Sequence, residues 1–462
     1  MHYAARMPRA LPRACVIGAG SSGIAACKAL QDRGIEFDCF EKSDRVGGNW
    51  VFANSNGMSA AYRSLHINTS RERMEYADHP MPSSYPDFAH HTQIAAYFED
   101  YVDHFGLREL ITFETGVAHA QRDADGGWTI TLEDGEQRRY DALLIANGHH
   151  WDPRWPEPPY PGTFDGRQLH SHQFLDAGGW RDQNVLVVGI GNSAMDIAVE
   201  CSYVARRTFL SSRRGAYVLP KYVFGRPLDQ IGTGAAGVVP WPVRRTVLAI
   251  IYRIAVGRVE RYGLPTPDHR IGEAHPTVSG GFLQRLADGE IAWKPNVDAL
   301  DGDHVGFTDG SREPIDVIVW CTGYKVSFPF FDPAFISAPD NDLPLYRHVF
   351  RPGIDNLFFV ALLQPLGATM PIAEAQGQWI ADYLCGDYRL PPEAVMAADI
   401  GREREQMAKR YVASKRHTMQ VDFDAYMHAL ANERRAGAAR ARAAAYALPV
   451  APRVQGAALH SA

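Results

Sequence analysis

Two short stretches carry residues whose types and spacing could do chemistry. In "RACVIGAGSSGIAACKAL", Gly18, Gly20 and Gly23 stand between an apolar run of strand length and a segment with helical spacing. In "NVLVVGIGNSAMDIAVE", Gly189 and Gly191 repeat the arrangement, with Ala194 in the third place. The first glycine allows a tight turn, the second lets the backbone approach a pyrophosphate, and the third place needs only a small side chain where helix meets strand. The amides at the start of the following helix then face the phosphates. Each stretch predicts a dinucleotide site.

The two sites differ at the end of the second strand. Glu41 closes "FDCFE", 23 residues beyond Gly18, and the same step from Gly189 reaches Ser212, with Arg213 and Arg214 next in the chain. A carboxylate accepts hydrogen bonds from a ribose diol but repels a 2′-phosphate, which a hydroxyl and guanidinium groups bind instead. The first site is therefore expected to take a dinucleotide with a free diol, and the second NADPH. The competing reading makes Arg213 and Arg214 a solvated surface pair.

The elements around these residues are also duplicated. "WTITLEDGEQRRYDALLIANG" and "VGFTDGSREPIDVIVWCTG" share an order of strand, Asp-Gly turn, charged residues and buried strand, ending at Gly148 and Gly323. The turns at Asp134-Gly135 and Asp309-Gly310 are hairpin signals. The predicted fold class is α/β, with two Rossmann-like dinucleotide-binding domains, the second inserted into the first. Residues 12–168 and 323–445 would form the first, and 169–322 the second, with an insertion at about 225–280. The Ala/Arg-rich stretch from Glu433 onward, including a low-complexity tail over 446–462, is expected to be a frayed helix or disordered.

Composition narrows the function classes. A hydrophobic share of 46% with 22% charged residues in 462 positions is that of a globular protein. The net charge of −6 gives no support to nucleic-acid binding. The six cysteines form no CxxC pair and read as buried thiols of a reducing compartment, so a cytoplasmic setting is expected and a disulfide reductase is not. No histidine spacing suggests a metal site. No signal peptide or transmembrane segment is expected. The apolar run "TVLAIIYRIAV" at 246–256 reads as a buried or lid helix, or as a helix lying on a membrane surface. A homodimer is compatible with the sequence.

Two dinucleotides side by side point to a flavoenzyme, because hydride transfer from nicotinamide to flavin needs both rings in contact. Here the chain resembles the flavin-containing monooxygenases, among the class B flavoprotein monooxygenases. "FDGRQLHSHQF" at 164–174 fits that family's identifying pattern through Phe164, Gly166, His170 and Phe174. "GGNW" at 47–50, "YRSLHINTSRERMEYADHPMP" at 62–82, "SSRRGAYV" at 211–218 and "LLQPLGATMPIAEAQGQW" at 362–379 extend the similarity over residues from about 12 to 430.

The resemblance implies FAD in the first domain, NADPH in the second, and molecular oxygen as co-substrate. It implies a flavin C4a-hydroperoxide that passes one oxygen atom to a soft nitrogen or sulfur of a small amine or sulfide. Asn68 matches the asparagine that the family places beside the reactive flavin carbon; a turn-forming role is its alternative. Gly47, Gly48 and Trp50 would approach the flavin, with core filling as the other reading for Trp50. Gln364 would lie near flavin or substrate, or cap a loop. The expected cofactor-binding set also includes Ser22, His66, Thr69 and Val117, and Asn192 and Ser193 in the second turn. His170 is expected to serve as a structural hinge between domains rather than in proton transfer. Baeyer–Villiger oxidation of ketones is a second reading, against which Phe174 stands where the related enzymes have tryptophan. A non-oxygenating NADPH-dependent flavin reductase or sensor is a third.

Overall fold

The computed structural model describes residues 10–231, 239, 241–411 and 417–453. Four strands of continuous apolar sequence lie at its centre: Ala14–Ile17, Ala142–Ile145, Asn184–Val188 and Val317–Trp320, every residue buried. A strand buried on both faces must serve two cores, and its alternate side chains do so. Val16 and Leu144 face a core shared with helices, whereas Cys15, Ile17, Leu143 and Ile145 face one shared with a hairpin sheet. Val185 and Val187 against Leu186 and Val188 repeat the division in the second half.

The two sheets have corresponding topologies. In the first, Ala14–Ile17 lies between Phe37–Phe40 and Ala142–Ile145, with Ile111–Thr112 and Leu357–Phe359 outermost, all parallel. In the second, Asn184–Val188 lies between Arg207–Ser211 and Val317–Trp320, with Ile291–Lys294 and Arg167–His170 outermost, again all parallel. The strand that ends in the glycine turn is thus the central one in each sheet, where connections leave in opposite directions and open a crevice. An antiparallel three-stranded unit precedes the strand Ala142–Ile145 in the first half and Val317–Trp320 in the second: Val117–Tyr140 and Val297–Pro314. Its turns place Gly135 and Gly310 at φ +90° and +81°, as the Asp-Gly signals predict.

All second-sheet strands fall in sequence between Ala142–Ile145 and Leu357–Phe359. The chain therefore passes from one half to the other twice. The two passages pair with each other, Asp152–Pro153 running antiparallel to Tyr324–Lys325, and Arg154 N donates to Gly323 O at 2.9 Å.

Two expectations change. The stretch from Glu433 onward is regular helix through Ala443, part of Phe423–Ala443. Gly437 there leaves room for the Tyr388 ring, Val450 enters the first core, and Arg453 N donates to Asp141 at 2.8 Å. Burial and this hydrogen bond thus order a segment whose composition left frayed helix and disorder open; residues 454–462 lie outside those described. The apolar run at 246–256 belongs to Trp241–Ala255, which buries Tyr252 but leaves Val243, Val247, Ile250 and Ile254 each more than half exposed. It is a surface helix with apolar side chains on two opposite faces. Among the described residues no helix is long and apolar enough to cross a membrane.

The helix after the first turn, Ser21–Asp32, packs on Met370–Leu384 at Gly377, where an added Cβ would lie 3.1 Å from Ala26 Cα. Glycine costs helix propensity, so the backbone approach is what requires it here. Gly377→Leu is expected to lower the unfolding free energy by about 2–3 kcal/mol through overpacking, measured by denaturant titration.

Candidate dinucleotide and oxygenation site

The first turn is shaped by backbone contact. Gly18 sits at φ +98°, and a Cβ on Gly23 would lie 1.8 Å from Gly18 O, so no larger residue fits at the third place. Gly20 differs: the sole atom that a Cβ there would meet within 4 Å is Gly48 Cα, at 3.8 Å. Gly20 and Gly48 form two bare backbone walls of one cradle. Helix Ser21–Asp32 begins at Gly20 with no side-chain cap, leaving its first amides for an anion. This is the geometry that a dinucleotide pyrophosphate needs. Ser22 lies half-buried in that first helical turn.

Glu41 is buried, and one of its oxygens binds the glycine turn while the other binds the chain that follows it. Oε2 accepts from Ala19 N and Oε1 from Ser43 N, both at 2.7 Å. Burial raises its pKa, and these amides oppose the rise. The carboxylate therefore holds the glycine turn through Ala19, and Oε1 also accepts from Asn56 Nδ2 at 3.4 Å; a carboxylate oxygen has two lone pairs, so Oε2 keeps one for a ribose hydroxyl.

The second turn repeats the plan with different side chains. Gly189, at φ +141°, has Cys321 O where a Cβ would approach to 2.6 Å, and Ala194 is fully buried. Helix Asn192–Ser202 starts at Gly191, also without a side-chain cap. Asn192 Oδ1 accepts from Val278 N at 2.8 Å, so this residue fixes the insertion onto the turn; Ser193 is half-buried beside it. Ser212 is buried, with its hydroxyl donating to Arg214 O at 3.0 Å and accepting from Trp293 Nε1 at 2.9 Å. Arg214 lies 3.6 Å from Asp268. Arg213 is exposed and has no hydrogen bond or ion pair among the described residues. Of the three residues expected around a 2′-phosphate, Arg213 is the one not already engaged.

Asn68 is half-buried in a segment held from both halves of the chain. From the first half, Ala89 O accepts from Ile67 N at 3.0 Å, and Asp87 O from Arg71 N at 2.6 Å. From the second, Lys221 Nζ donates to Ile67 O at 3.1 Å, and Asp229 Oδ2 accepts from Ser70 N and Oγ at 2.7 and 2.9 Å. Tyr62 OH donates to Asp196 Oδ2 at 2.6 Å. Burial pushes Asp196 up to about 6 and pulls Lys221 down, partly offset by the Asp196 charge. None of these four partners, Tyr62, Asp196, Lys221 and Asp229, was expected from sequence. An aspartate within the apolar "AMDIA" helix is the one signal that could have found any of them.

The remaining expected residues scatter. Thr69 is buried beside Asn68, and His66 is exposed with Nδ1 2.8 Å from Ser64 O. Trp50 is half-buried and packs against the edge of the first core, a placement compatible with both of its readings. Val117 joins the core on the hairpin face of the first sheet. Gln364 opens a strand paired with Gln420–Asp422. A cavity of about 500 Å³ lined by Arg167, Trp180 and Asp316 opens at the opposite strand ends of the second sheet, away from the glycine turn.

His170 ends the strand Arg167–His170 where the chain enters the second half. It is fully buried, its Nδ1 accepts from His172 N at 3.1 Å, and Gln173 Oε1 accepts from its backbone N–H at 3.0 Å. Burial pushes the imidazole down to about 4 from an ordinary 6.5, so it is neutral at physiological pH. A folded state that disfavours the charged ring loses stability as pH falls below 6.5. Relative to His170→Asn, which caps without titrating, the wild type should lose about 2–3 kcal/mol between pH 6.5 and 4, read from denaturant midpoints across that range.

Comparison with known proteins agrees with this geometry. The family described as Flavin-binding monooxygenase-like matches residues 12–439. Flavin-containing monooxygenase 5 of Rattus norvegicus is 36% identical over 441 residues, covering 91% of this chain and 82% of the relative. Dimethylaniline monooxygenase [N-oxide-forming] 2 of Rattus norvegicus is 34% identical over 440 residues, with 91% and 82% covered. Oxidized steroid monooxygenase bound to NADP has a similar fold, with a TM-score of 0.69, 19% identity, and 92% of this chain and 98% of that chain covered. With two uncapped glycine turns and this similarity along its length, the chain belongs to the flavin-binding monooxygenase-like family, oxidoreductases that use FAD and NADPH.

Proposed function

We propose that this protein transfers one oxygen atom from O₂ to a soft nitrogen or sulfur of a small molecule, with FAD held at the first glycine turn and NADPH at the second. The observation that carries the reading is the Asn68 segment, bound by hydrogen bonds from both nucleotide-binding halves. Bound together, NADPH would supply the hydride that reduces FAD and the reduced flavin would activate O₂, one oxygen atom going to the substrate and the other leaving as water. The chain's own residues bind, orient and shelter. Gly20 and Gly48 admit the pyrophosphate, Glu41 accepts from a ribose hydroxyl, and Arg213 pairs with the 2′-phosphate. The Asn68 amide both donates and accepts, so it can hold an oxygen function and a neighbouring amide together. A substrate nitrogen or sulfur brings its own electron pair, so the protein needs no acid–base dyad to activate it. Its task is to exclude water and keep donors fixed.

Nitrogen oxidation finds support in the name of the N-oxide-forming relative at 34% identity. Phe174, buried against Tyr62 and Trp180 at ring distances of 6.1 and 5.3 Å, stands against the ketone reading.

Incubation with NADPH, ¹⁸O₂ and, in parallel, a tertiary amine, a thioether and a cyclic ketone tests the reading by mass spectrometry. Labelled N-oxide or sulfoxide formed faster than lactone is expected. Faster lactone formation would replace it with Baeyer–Villiger chemistry, and unlabelled substrates with all NADPH recovered as hydrogen peroxide would replace it with a reductase. Separately, Arg213→Ala should raise the KM for NADPH by about tenfold to a hundredfold and leave that for NADH nearly unchanged, the loss of one charge-assisted contact. Equal effects on both would return Arg213 to a surface role.

A further inference from the structure

The peptide group that joins Ile67 to Asn68 is held by its oxygen, which accepts from Lys221 Nζ at 3.1 Å. Orienting that peptide plane orients the Cα–Cβ bond of Asn68. The lysine is an unusual choice for a simple structural contact. Its ammonium is largely withdrawn from water, lies 4.8 Å from the Phe88 ring centroid, and is destabilised by burial, with the Asp196 charge only partly compensating. A buried charge of this kind costs solvation and is kept where its donor strength is needed.

The placement of Lys221 leads back to the second glycine turn in two short links. Asn192 Oδ1, in the first turn of the helix after Gly191, accepts from Val278 N at 2.8 Å. Val278 pairs in register with Leu219 across a two-strand parallel contact, two residues before Lys221. The route from the second glycine turn to Asn68 thus runs through Asn192, Val278, Leu219, Pro220 and Lys221.

We propose that Lys221 is the positioning residue for Asn68, fixing the 67–68 peptide to the frame of the second nucleotide turn; this rests on the role proposed for Asn68 in oxygen transfer. Asn68 is then carried by the second half of the chain although it lies, by sequence, in the first.

The test uses holoenzyme with both cofactors, in wild type, Lys221→Met, Lys221→Arg and Asn68→Ala. Amide hydrogen exchange of the peptide covering residues 65–70 is the first readout, and the share of oxidised NADPH that appears as hydrogen peroxide is the second. Lys221→Met should exchange there about tenfold faster, in keeping with loss of a charge-assisted hydrogen bond. It should also raise the peroxide share toward that of Asn68→Ala, and Lys221→Arg should restore both. Unchanged exchange in Lys221→Met would overturn the proposal. So would faster exchange with a wild-type peroxide share while Asn68→Ala raises it. If Asn68→Ala leaves the peroxide share unchanged, the role given to Asn68 fails, and exchange alone then decides whether Lys221 fixes the peptide. Lys221→Gln, with the same expected outcome, replaces the methionine variant should that not fold.

Discussion

A helix that begins on glycine has no side chain to satisfy its first amides, and much of this molecule is arranged around two such beginnings. Gly20 and Gly191 each open a helix without a side-chain cap. The unpaired donors and the positive end of the helix dipole then have to be met from outside the chain. That demand explains why both helices start at the centre of a parallel sheet, where diverging connections leave a crevice. It also explains why the walls are bare backbone. A Cβ at Gly20 would project into the crevice past Gly48, and one at Gly23 would collide with Gly18 O.

From this common constraint the two halves diverge in one place each. In the first, Glu41 binds the glycine turn through Ala19 N and its own following backbone through Ser43 N. In the second, Ser212 is engaged by Trp293 and the Arg214 carbonyl, while Arg213 stays unpaired among the described residues. On the reading proposed above, the same backbone plan would select between a diol and a phosphate by the charge at the end of its second strand.

The turns, the duplicated hairpins and the strand alternation were legible in the sequence because each is a local pattern. Gly18 to Gly23 and Asp134-Gly135 are read within a few residues, and buried strands announce themselves as apolar runs. The support of Asn68 was not legible. Tyr62–Asp196, Lys221–Ile67 and Asp229–Ser70 span 134, 154 and 159 residues, and no periodicity encodes such pairs. Composition left the stretch after Glu433 between a frayed helix and disorder for a related reason. Alanine and arginine are common in disordered tails, yet here they come after Tyr426 and Leu430, which anchor a helix in the first core, and Val450 closes it.

The paired passages between the halves, Asp152–Pro153 and Tyr324–Lys325, set a limit on how those halves can move. A single linker would leave rotation in every direction. Two linkers joined as an antiparallel ribbon, with Thr322 Oγ1 also donating to Arg154 O, bend readily across the ribbon's flat face and resist shear within it. The halves are also tied at Lys221–Ile67 and Asp229–Ser70, so any displacement of one glycine turn against the other has to bend the ribbon and carry or break those bonds with it.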